Sequence, residues 1–221
     1  MKKFIRCTIL SIAALLLIGP AYGSSAHGLA FGNLTTADAC GFGIGYVGGF
    51  AGLADNGTTL FGTVTYGFSD YTEGRAKIGF FDADVKNADP ELVLGVNFKY
   101  EFMDYYDRNR NYPFDLAFGT FLEYLSYESG SVLQLGGESI GSIPFRFESG
   151  RRLIPYARLN LRLERVAWDY DGPGGDGSES NFKLGLNAGT KFEMSESFNL
   201  YGEFQLDGND GLFFGVEFRA F

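Results

Sequence analysis

The chain has 221 residues, a formal net charge of −9 and an apolar fraction of 45%. It is too apolar and too aromatic to be disordered, and its acidic balance argues against a nucleic-acid-binding protein, which usually has a basic face. Two cysteines, Cys7 and Cys40, cannot make a disulfide scaffold. The length allows one domain, and no break in composition follows residue 40.

The start of the chain predicts a secretory signal peptide over residues 1–26. A basic opening, Lys2–Arg6, precedes the apolar run Thr8–Ile18, which is too short to span a bilayer as a helix. The small residues that follow place cleavage after Gly23 or after Ala26.

The first predicted strand follows this region and is rich in glycine. It covers Cys40–Leu53, with Cys40 as a small apolar strand residue. We expect Gly41, Gly43 and Gly45 to leave room inside the fold for large neighbours and to permit strong curvature. The apolar residues of this run are Phe42, Ile44, Tyr46 and Phe50.

Alternation of apolar and polar residues continues through the rest of the chain and predicts further β-strands. The clearest case is Glu91–Phe102, whose even-numbered residues are all apolar and whose odd-numbered residues are mostly polar, charged or small. The glycines of the least regular stretch, 131–147, suggest a bulge or bend, so that it holds either one bent strand or two short ones. Comparable runs occupy residues 59–68, 75–82, 114–124, 153–164, 182–194, 198–206 and 212–218. Turn-forming residues separate the runs, which gives ten strands in one domain.

Strands with one continuous apolar face fit either a soluble sandwich or a membrane barrel. The apolar faces hold many Phe and Leu residues with Tyr near their ends, and the opposite faces mix Gly and Ala with charges, as in a membrane barrel. With its signal peptide, its alternating strands and its terminal Phe221, the chain resembles the small outer-membrane β-barrel proteins of Gram-negative bacteria. Phe221 is out of phase with Phe218, so the last strand either ends before a short tail or shifts register.

This resemblance implies an antiparallel up-and-down transmembrane β-barrel over residues 40–221, with ten strands or alternatively eight, after a short N-terminal segment, 27–39. It implies location in the outer membrane, with outer-membrane lipid, lipopolysaccharide and the barrel-assembly machinery as partners, and it leaves the oligomeric state open. With a periplasmic N-terminus, the connections that follow odd-numbered strands would face the outside of the cell. These connections are residues 54–58, 83–90, 126–130, 169–181 and 207–210.

Charged residues on the polar faces of two successive strands form the strongest candidate cluster for the barrel interior. The cluster comprises Arg158, Arg162 and Glu164 on one strand and Lys183, Lys191 and Glu193 on the next. On neighbouring strands these side chains can form cross-strand ion pairs. Two functions are compatible with them, namely a set of ion pairs that fills a narrow interior and a charged constriction that selects small ions or solutes. The near balance of opposite charges favours the filled interior.

Catalytic chemistry is not indicated, and we predict no enzymatic activity, cofactor or metal. The one histidine, His27, precedes the first strand and is poorly placed to act as a general base in the barrel wall. The acidic residues Asp169, Asp171, Asp176 and Glu179 lack the spacing of a helical calcium loop and predict a solvated surface loop.

The predicted function is therefore a structural or surface-interaction role. The alternatives are a narrow channel for small ions or solutes and a soluble periplasmic β-protein that binds an apolar ligand.

Overall fold

A computed structural model describes residues 31–83, 89–106, 112–127, 130–168 and 177–221. The predicted signal peptide and His27 lie outside the described residues. The strands are β1 (Gly45–Ala54), β2 (Gly57–Ser69), β3 (Thr72–Ala83), β4 (Glu91–Met103), β5 (Asp115–Tyr127), β6 (Gly130–Ser142), β7 (Phe145–Arg146), β8 (Arg152–Trp168), β9 (Gly177–Ser195), β10 (Phe198–Leu206) and β11 (Gly211–Arg219). Within these described ranges, no helix has the length and apolar character needed to cross a membrane.

Ten of these strands close into an antiparallel barrel. Successive strands pair with each other, β6 pairs with β8, and the pairing of β1 with β11 completes the ring. The two-residue strand β7 pairs with β8 and is an addition to the ring. The prediction of an all-β, up-and-down barrel with ten strands is confirmed.

The two mouths of the barrel differ in which connections they carry. We call the mouth where β1 begins and β11 ends the near mouth, and the opposite one the far mouth. The connections β1–β2, β3–β4, β5–β6, β8–β9 and β10–β11 all lie at the far mouth, because neighbouring strands run in opposite directions. These are the five connections that the sequence analysis placed at one end.

The alternating pattern sorts apolar residues to the outer surface and polar residues to the lumen. Along β4, Leu94, Val96 and Phe98 have exposed fractions of 40%, 52% and 48%, whereas Val93 and Lys99 are buried. Side chains on one strand alternate between the two faces of a sheet, so the register of a strand determines which of its residues point into the lumen and which point outward. The predicted apolar faces of β2 to β6 and β8 to β11 point outward.

The first strand departs from the prediction. β1 begins at Gly45, not at Cys40, and Phe50 points into the lumen with 2% exposure. The outward residues are instead Val47 and Leu53. The inward glycines make room for large rings, because a Cβ at Gly48 would lie 2.5 Å from the ring of Phe50. The apolar pattern of this strand therefore marks the inside of the barrel.

The residues before β1 form a turn. Gly41 and Gly43 have φ values of +90° and +72°, in the left-handed region that glycine tolerates, so their role is conformational and not to line the interior. Gly45 lies against the ring of Phe221, which would come within 2.1 Å of a Cβ there. Cys40 precedes the strand as well, and its thiol donates to the carbonyl of Ile44 at 3.5 Å.

Two irregular stretches are simpler than the sequence suggested. Residues 130–142 form one strand, β6, in uninterrupted register with β5 and β8, so the bulge predicted at its glycines is wrong. The stretch 131–147 divides only after Ser142, where the two-residue strand β7 continues the pairing with β8. Gly136 instead accommodates the ring of Phe121, which would lie 2.4 Å from a Cβ at that position. The last strand ends at Arg219 and leaves a short tail, in which the ring of Phe221 lies 6.0 Å from that of Tyr66.

Candidate functional site

The lumen of the barrel contains the chain's own residues 31–40, which we call the luminal segment. Phe31 and Ala37 have no exposed surface, and Leu34 has 1%. The ring of Phe31 lies 4.7 Å from that of Phe61 in the far half of the barrel, whereas Cys40 lies at the near mouth, where a Cβ added to Gly67 would be 3.0 Å from its Sγ. The sequence analysis described residues 27–39 only as a short segment before the barrel, and it missed this insertion.

Three buried cations on β3 and β4 bind carbonyl groups of the luminal segment. They belong to adjacent strands and point inward because they occupy the polar face of each. The contacts are Arg75 Nη1 to the carbonyls of Asn33 (3.1 Å) and Leu34 (2.7 Å), Lys77 Nζ to that of Gly32 (3.2 Å), and Lys99 Nζ to those of Thr36 (2.6 Å) and Asp38 (2.9 Å).

Acceptor side chains from four strands bind N–H groups of the same segment. Three of the four are carboxylates and one is a serine hydroxyl. The contacts run from Asn33 and Leu34 to the two oxygens of Glu203 (2.6 and 2.8 Å), from Ala37 to Ser142 Oγ (3.1 Å), from Ala39 to Glu101 Oε2 (2.8 Å), and from Cys40 to Glu73 Oε2 (3.0 Å).

These contacts give an irregular peptide segment the hydrogen-bond partners that a neighbouring strand would otherwise supply. Buried backbone N–H and C=O groups must be paired, and the luminal segment belongs to no strand. Cations from the wall bind its carbonyls, while carboxylates and a hydroxyl accept from its N–H groups. The lumen is therefore a binding site for one polypeptide segment, and that segment is part of the same chain.

Glu203 on β10 is the centre of this arrangement. Besides the two N–H groups, its carboxylate accepts hydrogen bonds from the Tyr156 hydroxyl (2.6 Å) and from Asn187 Nδ2 (2.8 Å). Leu34 has a φ of +48°, and consecutive N–H groups around such a residue converge into a concavity that suits an anion. Four donors thus stabilise one carboxylate that is 3% exposed.

Each of the three cations also has a carboxylate partner on the wall. Arg75 lies 3.4 Å from Glu217, Lys77 lies 3.5 Å from Glu123, and Lys99 lies 3.0 Å from Glu73. All six side chains are at least nine-tenths buried. Buried charges need such partners because desolvation strongly disfavours an isolated ion.

The structure divides the predicted charge cluster among three places. Arg158 and Arg162 are buried on β8, where Arg158 pairs with Glu138 of β6 (2.6 Å) and Arg162 pairs with Asp207 (3.3 Å) and lies 3.9 Å from Glu164. Their ion-pair partners are thus not the predicted charged residues of β9, although β9 is the neighbour of β8 as expected and its Asn187 accepts a hydrogen bond from Arg158 at 3.4 Å.

The β9 members of the predicted cluster form no ion pair with those two arginines. Lys183 is half-buried and stands opposite Arg162 in the register, towards the far mouth. Lys191 pairs with Glu193 of its own strand at 3.0 Å near the other mouth, and Arg152 joins the same carboxylate at 2.9 Å. Of the predicted acidic loop, Glu179 is exposed and accepts a hydrogen bond from Asn181, whereas Asp169, Asp171 and Asp176 fall outside the described residues.

An apolar cluster fills much of the far half of the lumen. Its members come from the wall and from the luminal segment, and they pack around Phe31. They are Phe31, Leu34, Phe50, Phe61, Phe81, Val93, Tyr201 and Phe213. The sequence analysis assigned apolar residues to the outer surface and missed this cluster. Glycines opposite the inward rings were the signal in the sequence, because a Cβ at Gly52 would lie 2.3 Å from the ring of Phe213 and a Cβ at Gly79 would lie 2.4 Å from the Cβ of Phe61.

The β10–β11 connection folds over the far end of the lumen. Asn209 is 1% exposed, and Arg162 donates to the carbonyl of Asp207 at 3.1 Å. Between Asn97, Lys99 and Glu138 the described part of the lumen holds a cavity of about 10 Å³, about the room that one water molecule needs. The interior is thus filled by side chains and by the luminal segment.

Comparisons with known proteins find similarity at the level of folds. No family model matches the sequence, and no curated protein matches it. The N-terminal β-barrel domain of Pseudomonas aeruginosa OprF is 14% identical, covering 81% of this chain and 98% of its own, with a TM-score of 0.41. The KdgM porin is 10% identical over 78% of this chain and 98% of its own, with a TM-score of 0.42. The β domain of the Bordetella autotransporter BrkA is 12% identical over 80% of this chain and 98% of its own, with a TM-score of 0.45.

Proposed function

We propose that this chain is an integral outer-membrane β-barrel with a structural or surface-interaction role and a lumen closed by its own residues 31–40. The observation that carries the proposal is the set of wall side chains that bind the backbone of the luminal segment on both its N–H and its C=O sides. The proposal assigns no catalytic role to the chain.

The outer surface supports a membrane location. Soluble monomers seldom expose a continuous apolar surface of more than a few hundred Å². Here every strand of the ring exposes at least one large apolar side chain. One example from each strand in chain order is Val47, Leu60, Ile78, Leu94, Phe118, Leu135, Leu161, Leu184, Phe204 and Phe214. Aromatic residues collect towards the near mouth, as they do at the rim of a lipid-facing band. The exposed tyrosines there are Tyr66, Tyr71, Tyr100, Tyr105 and Tyr106.

The same surface argues against the soluble alternative. A soluble protein that binds an apolar ligand would turn its apolar faces inward and leave room for the ligand. In this barrel each of the ten strands turns large apolar residues outward, and Phe31 of the chain itself occupies the apolar part of the lumen.

Cell fractionation followed by gel mobility tests the location. We expect the protein in the outer-membrane fraction and a faster-running band without boiling, because a closed barrel resists denaturation by detergent. A soluble protein with no mobility shift would contradict the membrane assignment.

Conductance in planar bilayers tests the closed lumen. We expect no steady current steps from the intact protein and clear steps from a variant that lacks residues 31–39, because deletion removes the segment that fills the lumen. The heat-dependent gel shift of the variant checks that its barrel is folded. Glu148→Gln, an exposed change in the β6–β8 connection, is the matched control. Steps of equal size from the intact protein would instead establish the narrow channel.

A further inference from the structure

Three carboxylates meet at the near mouth, where β4 leads into β5. They belong to Glu101 on β4, Asp104 in the connection and Asp115 at the start of β5. One oxygen from each lies within 4.8 Å of the others. Glu101 and Asp115 have exposed fractions of 4% and 1%, and Asp104 is half-buried.

The local backbone holds these carboxylates in place. The N–H of Tyr105 donates to Asp115 Oδ1 at 2.6 Å, and the N–H of Tyr106 donates to Asp104 Oδ1 at 2.7 Å. Glu101 Oε2 accepts from the N–H of Ala39. The turn that follows β4 therefore brings like charges together in a buried position.

One buried oxygen of this group has no partner. Glu101 Oε1 is inaccessible to solvent and has no hydrogen-bond donor among the described residues. Within the same ranges, no lysine or arginine forms an ion pair with Glu101, Asp104 or Asp115. The nearby Lys99 is committed to Glu73 and to two carbonyls. A buried carboxylate among like charges is strongly unfavourable as an anion, so it must either take up a proton or bind a cation.

We propose that Glu101, Asp104 and Asp115 bind a Ca²⁺ ion. Carboxylate oxygens are the ligands of this hard cation, and Ca–O distances of about 2.3–2.6 Å let two oxygens on one ion lie up to about 5 Å apart. Mg²⁺, at about 2.1 Å, limits that separation to about 4.2 Å and requires near-octahedral geometry. Three oxygens that lie within 4.8 Å of one another can all reach one Ca²⁺ ion, whose flexible coordination suits carboxylates from two strands and a connection, and Glu101 has one oxygen without a donor among the described residues.

The proposed ion would also fasten the luminal segment. Glu101 holds the N–H of Ala39 through its second oxygen. Asp115 Oδ2 accepts from the hydroxyl of Ser142, whose oxygen accepts from the N–H of Ala37. Two of the three ligands thus connect to the backbone of the luminal segment within two hydrogen bonds, and calcium would order that segment where it enters the barrel.

Calorimetric titration of Ca²⁺ into the full-length protein in micelles, after dialysis against a chelator, tests the site. We expect one saturable site per chain, with a Kd raised at least about tenfold in Asp104→Asn and Asp115→Asn. Asp104 is half-buried in a connection, so its variant keeps the test valid if the Asp115 variant does not fold. Glu148→Gln, an exposed near-mouth change, should leave the Kd unchanged.

Hydrogen exchange of the amides of residues 37–40 gives a second readout. We expect Ca²⁺ to slow this exchange in the intact protein and to have no effect in Asp104→Asn. Absence of saturable binding, or binding that Asp104→Asn and Asp115→Asn leave unchanged, would overturn the site. Neither readout uses conductance, so the calcium site and the closed lumen are tested separately.

Discussion

The two sides of the lumen use the same residue types for different purposes. On the β3–β4 side, Arg75, Lys77 and Lys99 each bind a wall carboxylate and carbonyls of the luminal segment. On the β8 side, Arg158 and Arg162 bind carboxylates and amides of the wall and of the β10–β11 connection. We call these the segment side and the wall side. A buried cation on the segment side therefore holds the luminal segment, whereas one on the wall side joins parts of the wall to each other.

The largest effect on folding stability is expected on the wall side. Arg158→Met would leave Glu138 buried without its cation, and breaking a buried pair costs about 3–5 kcal/mol. Denaturant unfolding in micelles measures the loss. A second change, Glu138→Leu, should recover much of it because it removes the unpaired charge. If Arg158→Met were instead neutral, the ion pair would not be a structural element of the wall.

On the segment side we expect a smaller loss of folding stability together with a gain of conductance. Glu203→Gln keeps one acceptor oxygen for two of the four hydrogen bonds, and its new NH2 group can donate to the Tyr156 hydroxyl, so we expect the loss of one bond to a charged group, about 1.5–3 kcal/mol. We expect transient current openings, because the luminal segment is held less firmly. Arg158→Met, tested in the same bilayers, should remain silent. Equal conductance from both variants would remove the distinction between the two sides.

Packing on the wall side is tested by Gly136→Ala. The new Cβ would lie 2.4 Å from the ring of Phe121, and overpacking of this kind costs about 1–3 kcal/mol. Phe121→Leu in the same chain should restore part of the stability. Gly137→Ala is a matched control, since the nearest atom to its Cβ is 3.8 Å away.

The reactivity of Cys40 reports on the segment side without changing stability. Burial, together with the neighbouring Glu73 carboxylate, raises the pKa of this thiol to about 12, so the thiol stays protonated at neutral pH. Only the thiolate reacts, and alkylation at pH 8 should be about a thousandfold slower than that of an unperturbed thiol. Glu73→Gln should speed the reaction because it removes the negative charge. Fast alkylation of the intact protein would indicate that the near end of the luminal segment is open.

The smallest effect is expected for Lys183→Gln, a change in the predicted cluster. Lys183 is half-buried near the far mouth, and surface substitutions away from special contacts usually change stability by less than about 0.5 kcal/mol. Unfolding of this variant beside Arg158→Met would show which members of the predicted cluster are structural. A loss as large as that of Arg158→Met would place Lys183 within the wall network.

The prediction from sequence was strongest where alternation was regular. In β4 the odd-numbered residues from Val93 to Glu101 line the lumen, because a period of two determines both the strand and its inward face. It was weakest in β1, where Phe50 and the glycines around it belong to the inside. An apolar residue satisfies the hydrophobic effect equally well against lipid and within an apolar core, so composition alone did not separate these two environments.

The sequence by itself determined the strands and which residues share a face of each strand, because alternation is a local property of neighbouring residues. It left open the choice between ten strands and eight, which barrel closure decided. The occupant of the lumen was decided by the tertiary structure alone. Asn33 and Glu203 are 170 positions apart, and their contact exists because barrel closure encloses residues 31–40. The proposed calcium ligands depend on both levels of structure. Glu101 and Asp115 meet through the pairing of the neighbouring strands β4 and β5, whereas their hydrogen-bonded connection to Ala37 and Ala39 requires the closed ring.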